Sequence, residues 1–522
     1  MDELHSSQDS RYSIDIMLNK NNPQSDTFNL SNGGSGVVYI SSLNVDLNDC
    51  DDNESYIIQI IKAAAGSEAP QLDYDGSKVV NQASAVMTSD IIFAKNFGLA
   101  TTTTTNDSIE IRGWQDAFVK WTEYETPDGS EPEKKIYTFV DSSKTILSQD
   151  VEEIKMNDIT IKGANNTLDV NNKDFLSRVN ETQNITISDI NIINNNDTAL
   201  DNKGVLNLDN VKIDKNIINN NDLNLSGIID ASEITNNSEL SFEGTLLKVD
   251  ELSNSSNADL KGTVIADTIN NTGLLNTLGD AIINKINNTG GTLNISGDIE
   301  TSNLYNDKTV TITGSVMAKR IENQGTIDIK DSISVIKVLE SNERGALNLS
   351  DTELGFAGIV KNQDIISTDS TINVGTPNGL INNSIILNNS TLNLGALSVE
   401  PVRFTQLEMN NGSAINIASS SVDFTTRTMG RITSDSPVQI GADSVINLYN
   451  INLLNDIPKN TALIKILFAD ESFAEQVEYH GQKSIYTPLF VYGTSYDSSD
   501  GHMVFVRGGY FNPDTGVIEY PS

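Results

Sequence analysis

Between residues 200 and 340 the apolar positions come in alternating pairs, and the pairs recur. Leu206 and Leu208, Leu223 and Leu225, Leu240 and Phe242, Leu293 and Ile295, Val310 and Ile312, and Ile327 and Ile329 each precede a turn residue. Those turn residues are Gly227, Gly244, Gly262, Gly279, Gly297 and Gly314, spaced 17 or 18 apart, with Asn210 before them and Asp331 after. The pair blurs at Ala258 and Leu260 and across residues 274 to 278. Just past the turn a second apolar column reads Ile228, Leu246, Val264, Ile282, Ile299, Val316 and Ile333. A third reads Ile234, Leu252, Ile269, Ile286, Leu304, Ile321 and Val338, followed by an Asn at 202, 219, 236, 254, 271, 288, 306 and 323.

Seventeen residues with three turn signals and period-two alternation cannot hold a pair of amphipathic helices. Short strands coiled so that each lies over its equivalent one turn back do fit. The pattern therefore predicts an all-β parallel β-helix in which like side chains stack and the core is shared between neighbouring rungs. Asn tolerates the left-handed corner conformation, and stacked amides can hydrogen-bond along the column, so the Asn column predicts a partly buried ladder. The rungs extend back through residues 158–170 and 184–195 and forward, with longer spacings, through Leu347, Ile372, Leu392, Ile415 and Ile446. About 20 residues per rung over 158–450 makes roughly 14 rungs and a rod of roughly 65 to 70 Å. The crossover rule favours a right-handed coil, and the near-18 period leaves a left-handed hexapeptide-type coil open.

Open solenoid ends expose strand edges, so atypical terminal units are expected. Residues 451–510, with longer alternating strands and many aromatics, read as a C-terminal β cap. The same module is visible earlier. Residues 56–76 align with 461–481, pairing Ser67 with Ser472, Gln71 with Gln476, Tyr74 with Tyr479 and Gly76 with Gly481, and SIEIRG at 108–113 matches MVFVRG at 503–508. This divides the chain into the tail and cap of a preceding β-helix (1–113), a linker or N-terminal cap (114–150), a parallel β-helix (151–450), the C-terminal cap (451–510) and the start of a next segment or tail (511–522).

Charge narrows the partners. With 71 acidic against 34 basic residues, a net −37, nucleic acid is excluded as a main partner, because phosphate binding needs clustered Lys and Arg. Anionic membranes are disfavoured likewise. One Cys permits neither an intrachain disulfide nor a Cys-based zinc site. No secretory signal is visible at the N-terminus and no run of about 18 apolar residues could span a bilayer. Either the chain is cytosolic or it is part of something longer whose export signal lies upstream.

The opening KKIYTFVDSSKTILSQDVEEIKMNDITIKGANNTLDVNN, the N-x-G-x-L-N-I-x-G rungs and the closing VRGG cap resemble the passenger regions of bacterial autotransporter or polymorphic outer-membrane proteins. The resemblance covers about 115–510 and is architectural. It implies a right-handed, pectin-lyase-like β-helix displayed on the cell surface or secreted, exported with a cleaved signal peptide and a C-terminal β-barrel that are not in this chain.

The chemistry of the chain is sparse. A glycosidase needs paired carboxylates, and the similar polygalacturonase family adds a histidine between glycines; here His5, His480 and His502 all lie outside the rungs. Pectate lyases, another similar family, use Ca2+ and a basic residue. Lys319 and Arg320 are the basic pair within the regular rungs, and they read as solvated outward positions. Asp46, Asp49, Asp51, Asp52 and Glu54 are dense enough in oxygen for Ca2+, but their spacing fits no known calcium loop and reads as an exposed acidic loop. Cys50 in their midst has no basic neighbour to activate it. Trp114 and Trp121 belong to a linker or to a hairpin over the N-terminal edge, with a sugar-stacking platform as the sharper alternative. No catalytic, cofactor-binding or metal-binding residue is therefore assigned, and no cofactor. The expected function is a non-enzymatic, extracellular or outer-membrane surface β-helix, stalk or adhesin-like. Its expected partners are host or cell-surface glycans or proteins, with no nucleic acid and no direct membrane insertion, and it is expected to be a monomer. The alternative is a carbohydrate-active β-helix, a polysaccharide lyase or glycosidase.

Overall fold

In the computed structural model the described residues run unbroken from 157 to 508. Outside that span separate strands and turns are described, with side chains at 12–15, 24–31, 35–40, 59–64, 150, 152, 153, 512, 514, 515, 517 and 519. Residues 49–54, which hold Cys50 and most of the acidic loop, lie outside the described residues. The chain forms two compact units, Met1–Ile234 and Thr235–Ser522. Its fold is a parallel β-solenoid of about 13 turns.

In the first unit, Arg11–Asn19 pairs parallel with Val37–Asn48, which pairs parallel with Gln71–Tyr74. Ser55–Gln59 then joins an antiparallel sheet with Ser108–Trp114, Ile91–Thr105 and Val79–Thr88. A hairpin of Val119–Glu123 and Lys135–Phe139 follows, and its second strand pairs parallel with Asp158–Asp169. From there the rungs stack in register: Ile159, Ile185 and Leu206 form one inward column, Ile161, Ile187 and Leu208 the next.

The second unit repeats the device more regularly. Leu275, Leu293, Val310, Ile327 and Leu347 stack in one column, and Ile269, Ile286, Leu304, Ile321 and Leu339 in another. All are buried. Each Ile or Leu withdrawn from water contributes about 1.5 to 3 kcal/mol, and each can be withdrawn only because a rung lies above and below it.

The column expected just past the turn packs only in part: Val264, Ile299 and Val316 point inward and are buried, while the others do not. Ile228, Ile282 and Ile333 point outward, 53, 53 and 72% exposed, and the inward slots of the first two rungs belong to Ile229 and Ala281. The true column runs Leu247, Val264, Ala281, Ile299 and Val316. Val338 likewise yields its place to Leu339, the partner of Ile321. Where two apolar residues are adjacent, period-two alternation must turn one of them out, and the corner geometry decides which. At Leu246 an irregularity between Glu243 and Leu246 makes the shift.

Corners explain the glycines in two ways. Gly227 adopts a left-handed φ of +67°, which favours glycine. Gly297 is ordinary in φ, but a Cβ there would lie 2.2 Å from the carbonyl oxygen of Gly279 in the rung before. Stacked corners need glycine for space.

The C-terminal segment forms an antiparallel sheet of Leu463–Leu467, His502–Arg507, Val491–Asp497 and Ser484–Tyr486. Between its first two strands in sequence, Val477–Tyr479 returns to the solenoid and pairs parallel with Ile446–Leu448. Gln71–Tyr74 likewise pairs parallel with an earlier strand, Val37–Asn48, after the intervening Ser55–Gln59 has joined an antiparallel sheet.

Candidate binding cleft

Outward polar side chains bond from rung to rung at many positions, as Asn224 does to Asn207, Asn276 to Asp259 and Asn348 to Asp328. The Asn column is a buried ladder. In the second unit Asn236, Asn254, Asn271, Asn288, Asn306 and Asn323 each donate from Nδ2 to the Oδ1 or Oε1 of the next amide at 2.7 to 3.0 Å, ending at Gln363. Asn202 donates to Asn219 in the same way in the first unit. All eight are at most 2% exposed. A buried hydroxyl ladder runs along a different corner of the later rungs, with Ser370, Ser390, Ser413 and Ser444 each accepting from the backbone N–H of the rung before. A third rail lies on the surface, where Asn447, Asn416, Asn393 and Asn373 donate in series toward Glu353. His480 Nε2 closes its other end on Asn447 Oδ1 at 2.8 Å, and the ring stacks on Tyr449.

The candidates from sequence are placed apart. Lys319 and Arg320 point outward, with Arg320 ion-paired to Glu340 at 2.7 Å. His502 Nδ1 bonds within its own turn, to the carbonyl of Asp500. His5 lies on a two-residue strand beside Gly34–Ser35. Asp46, Trp114 and Trp121 are on strands whose side chains lie outside the description. Among the described residues no three His, Cys, Asp or Glu side chains are grouped to hold a metal ion.

A concave site does form where the rungs lengthen. Glu353, Thr371, Thr391, Ala414 and Val445 occupy equivalent positions, so successive turns take 18, 20, 23 and 31 residues. The longest turn holds a hairpin, Val422 against Met429, after which Ile432–Ser434 pairs parallel with Val402–Phe404. This excursion faces the cap strand Leu463–Leu467, and between them lie two cavities of about 320 and 440 Å3. Arg431 and Leu467 line both.

The backbone at Arg431 is fixed. Gly430 N–H donates to Ser421, its carbonyl accepts from the Ser420 hydroxyl, and the Arg431 carbonyl accepts from Val402 N–H at 2.8 Å. A Cβ at Gly430 would lie 2.3 Å from the Ser398 carbonyl oxygen. Two carboxylates of the lining, Asp435 and Asp423, are engaged by other groups. Asp435 takes the guanidinium of Arg403. Asp423 accepts from the Asn455 amide at 2.7 Å and from the Thr425 and Thr426 N–H groups, and the Asn455 bond foremost holds its carboxyl below the usual range. Arg431 itself is half-buried, and among the described residues its guanidinium has no hydrogen-bond or ion-pair partner. Ser434 Oγ, on the same lining, is buried without a partner. Three arginines within 403–431 of so acidic a chain were the sequence signal for this place; only the fold shows that Arg403 is paired, that Arg427 is exposed on the lining and that Arg431 is half-buried there without a partner among the described residues.

No family model matches the chain, and no curated protein matches its sequence. A solved structure, that of the Haemophilus influenzae Hap adhesin, aligns over 92% of this chain at 10% identity with a TM-score of 0.22, a likeness too loose to carry a functional argument. The chain spans 57% of the length of that protein.

Proposed function

We propose that this chain is a non-catalytic β-solenoid passenger displayed on a cell surface, an adhesin-like shaft that presents loops and a cap to host or cell-surface glycans or proteins. The observation that carries the reading is the engagement of polar side chains in rails along the rungs. Carboxylates and amides that an enzyme would leave free for substrate are here bonded to their counterparts one turn away, as in the series from Glu353 to His480. The irregularity is concentrated in loops near the cap, where solenoids commonly place contacts. Placement outside the cell and a monomeric state are parts of the proposal supported by the resemblance of the rungs and cap to passenger regions.

The test has two arms. The full chain is incubated with neutral and acidic polysaccharides while new reducing ends and unsaturated uronate absorbance are followed, and intact cells expressing the protein are treated with protease. No turnover and loss of the protein from intact cells are expected; sustained cleavage of any glycan overturns the non-catalytic reading, and full protection from protease overturns display.

A further inference from the structure

We infer that the twin cavity around Arg431 is a binding site for a carboxylate-bearing sugar. This deepens the adhesin-like reading by naming a ligand class, and it rests on that reading only for its biological setting.

Carboxylates are plentiful in a chain with twice as many acidic as basic residues, and among the described arginines Arg320, Arg344 and Arg403 are ion-paired, while Arg507 donates to the Ile457 carbonyl. Arg178 and Arg427 are exposed to water. Arg431 is half-buried and unengaged, although Asp423 and Asp435 line the same cavities. Both of those carboxylates are satisfied by other donors, so they do not compete for its five N–H groups. A planar fork with free donors in a concave site suits a carboxylate, which it can hold by two parallel bonds.

The rest of the lining specifies the remainder of the ligand. Thr426, Thr428, Thr433, Ser434, Ser436 and Ser472 supply hydroxyls that can both donate and accept. One of them, Ser434 Oγ, is already desolvated and lacks a partner, a cost that a ligand hydroxyl would relieve. Phe468 and Leu467 give an apolar wall. Cavities of about 320 and 440 Å3 are of the size small ligands occupy. Glu400 and Asp470, the other two carboxylates on the lining, are exposed, so water screens their repulsion of an anion.

The experiment uses the full chain and ligand-observed NMR with sodium D-glucuronate, D-glucose and sodium acetate. Saturable binding of glucuronate is expected, with glucose and acetate each markedly weaker. Arg431→Gln should weaken glucuronate binding by about tenfold or more, the loss expected for a charge-assisted hydrogen-bonded pair. Because the Arg431 side chain supports no other group, the variant should keep the native melting temperature. Lys319→Gln, which removes the same charge from an exposed rung, should bind as the parent does. Glucose binding as tightly as glucuronate, an Arg431→Gln variant binding unchanged, or no glucuronate binding at all would each overturn the site while leaving the proposed function standing. Cleavage in the polysaccharide assay would overturn that function and leave the site.

Discussion

Asn271 shows how much one side chain carries in a stacked fold. Its Oδ1 accepts from Asn254, and its Nδ2 lies within 3.2 Å of Asn288 Oδ1 and of the Gly273 and Thr292 carbonyls. Truncation would leave the Asn288 Oδ1 without its donor and take one of three acceptors from Asn254 Nδ2, which keeps the Ser256 and Leu274 carbonyls, in a site closed to water. Asn271→Ala is expected to cost about 2 to 4 kcal/mol in urea unfolding, whereas Ser296→Ala, at an exposed position, should change stability by less than about 0.5 kcal/mol. Lys215 is a different single-residue device. Its side chain is 1% exposed, with Nζ 2.8 Å from the Phe175 carbonyl and 3.3 Å from Asp174. Burial pushes its pKa below the ordinary lysine value of 10.5, with the Asp174 charge opposing. Between that lowered value and 10.5 the unfolded chain binds the proton that the folded chain has released, so stability climbs with pH. Lys215→Met should lack that climb when unfolding is compared across the alkaline range.

At the scale of elements, the decisive junction is between the longest turn and the cap. Phe424, 1% exposed in the hairpin excursion, stacks on Tyr492 at 5.7 Å and meets Phe505 edge-on at 5.2 Å. The Tyr492 hydroxyl donates to Asp456 and accepts from Ile457 N–H, and burial foremost pushes its pKa up to about 12. Phe424→Ala should cost about 3 to 5 kcal/mol, and amide exchange in Val491–Asp497 and His502–Arg507 should accelerate before that of the rungs. Equal acceleration in both would mean that cap and rungs unfold as one unit. Tyr492→Phe should cost about 1 to 3 kcal/mol by leaving the Ile457 N–H without its acceptor. The same variant should flatten the decline in stability above pH 10, where the unfolded tyrosine ionises first.

For the molecule as a whole, a net charge of −37 on stacked rungs is a long-range cost. Raising NaCl from about 10 mM to about 150 mM shortens the screening length from roughly 30 to 8 Å, and it should raise the melting temperature. Unchanged melting across that range would show that self-repulsion is already balanced locally by the rails and ion pairs. The cap also protects a strand edge. A chain ending at Asn450 lacks Val477–Tyr479, which pairs with Ile446–Leu448, and sedimentation should find it associated where the full chain is not.

What was legible in the sequence is what period alone dictates. Repeating pairs, corner residues and the Asn column must stack once the chain coils, because a rung cannot bury its apolar face except against its copies; hence Asn236 to Asn323 appear in a buried ladder at the positions their spacing gave. Direction within a rung was less legible. Ile228 and Ile229, or Ala281 and Ile282, are equally compatible with the pattern, and backbone geometry at the corner sends one inward and the other to water. The cluster of arginines was visible but the cleft was not, since Arg403, Arg431, Asp423 and Asp435 are separated by turns of unequal length. Which arginine finds a carboxylate is fixed by distances across rungs, and those exist only once the coil has closed.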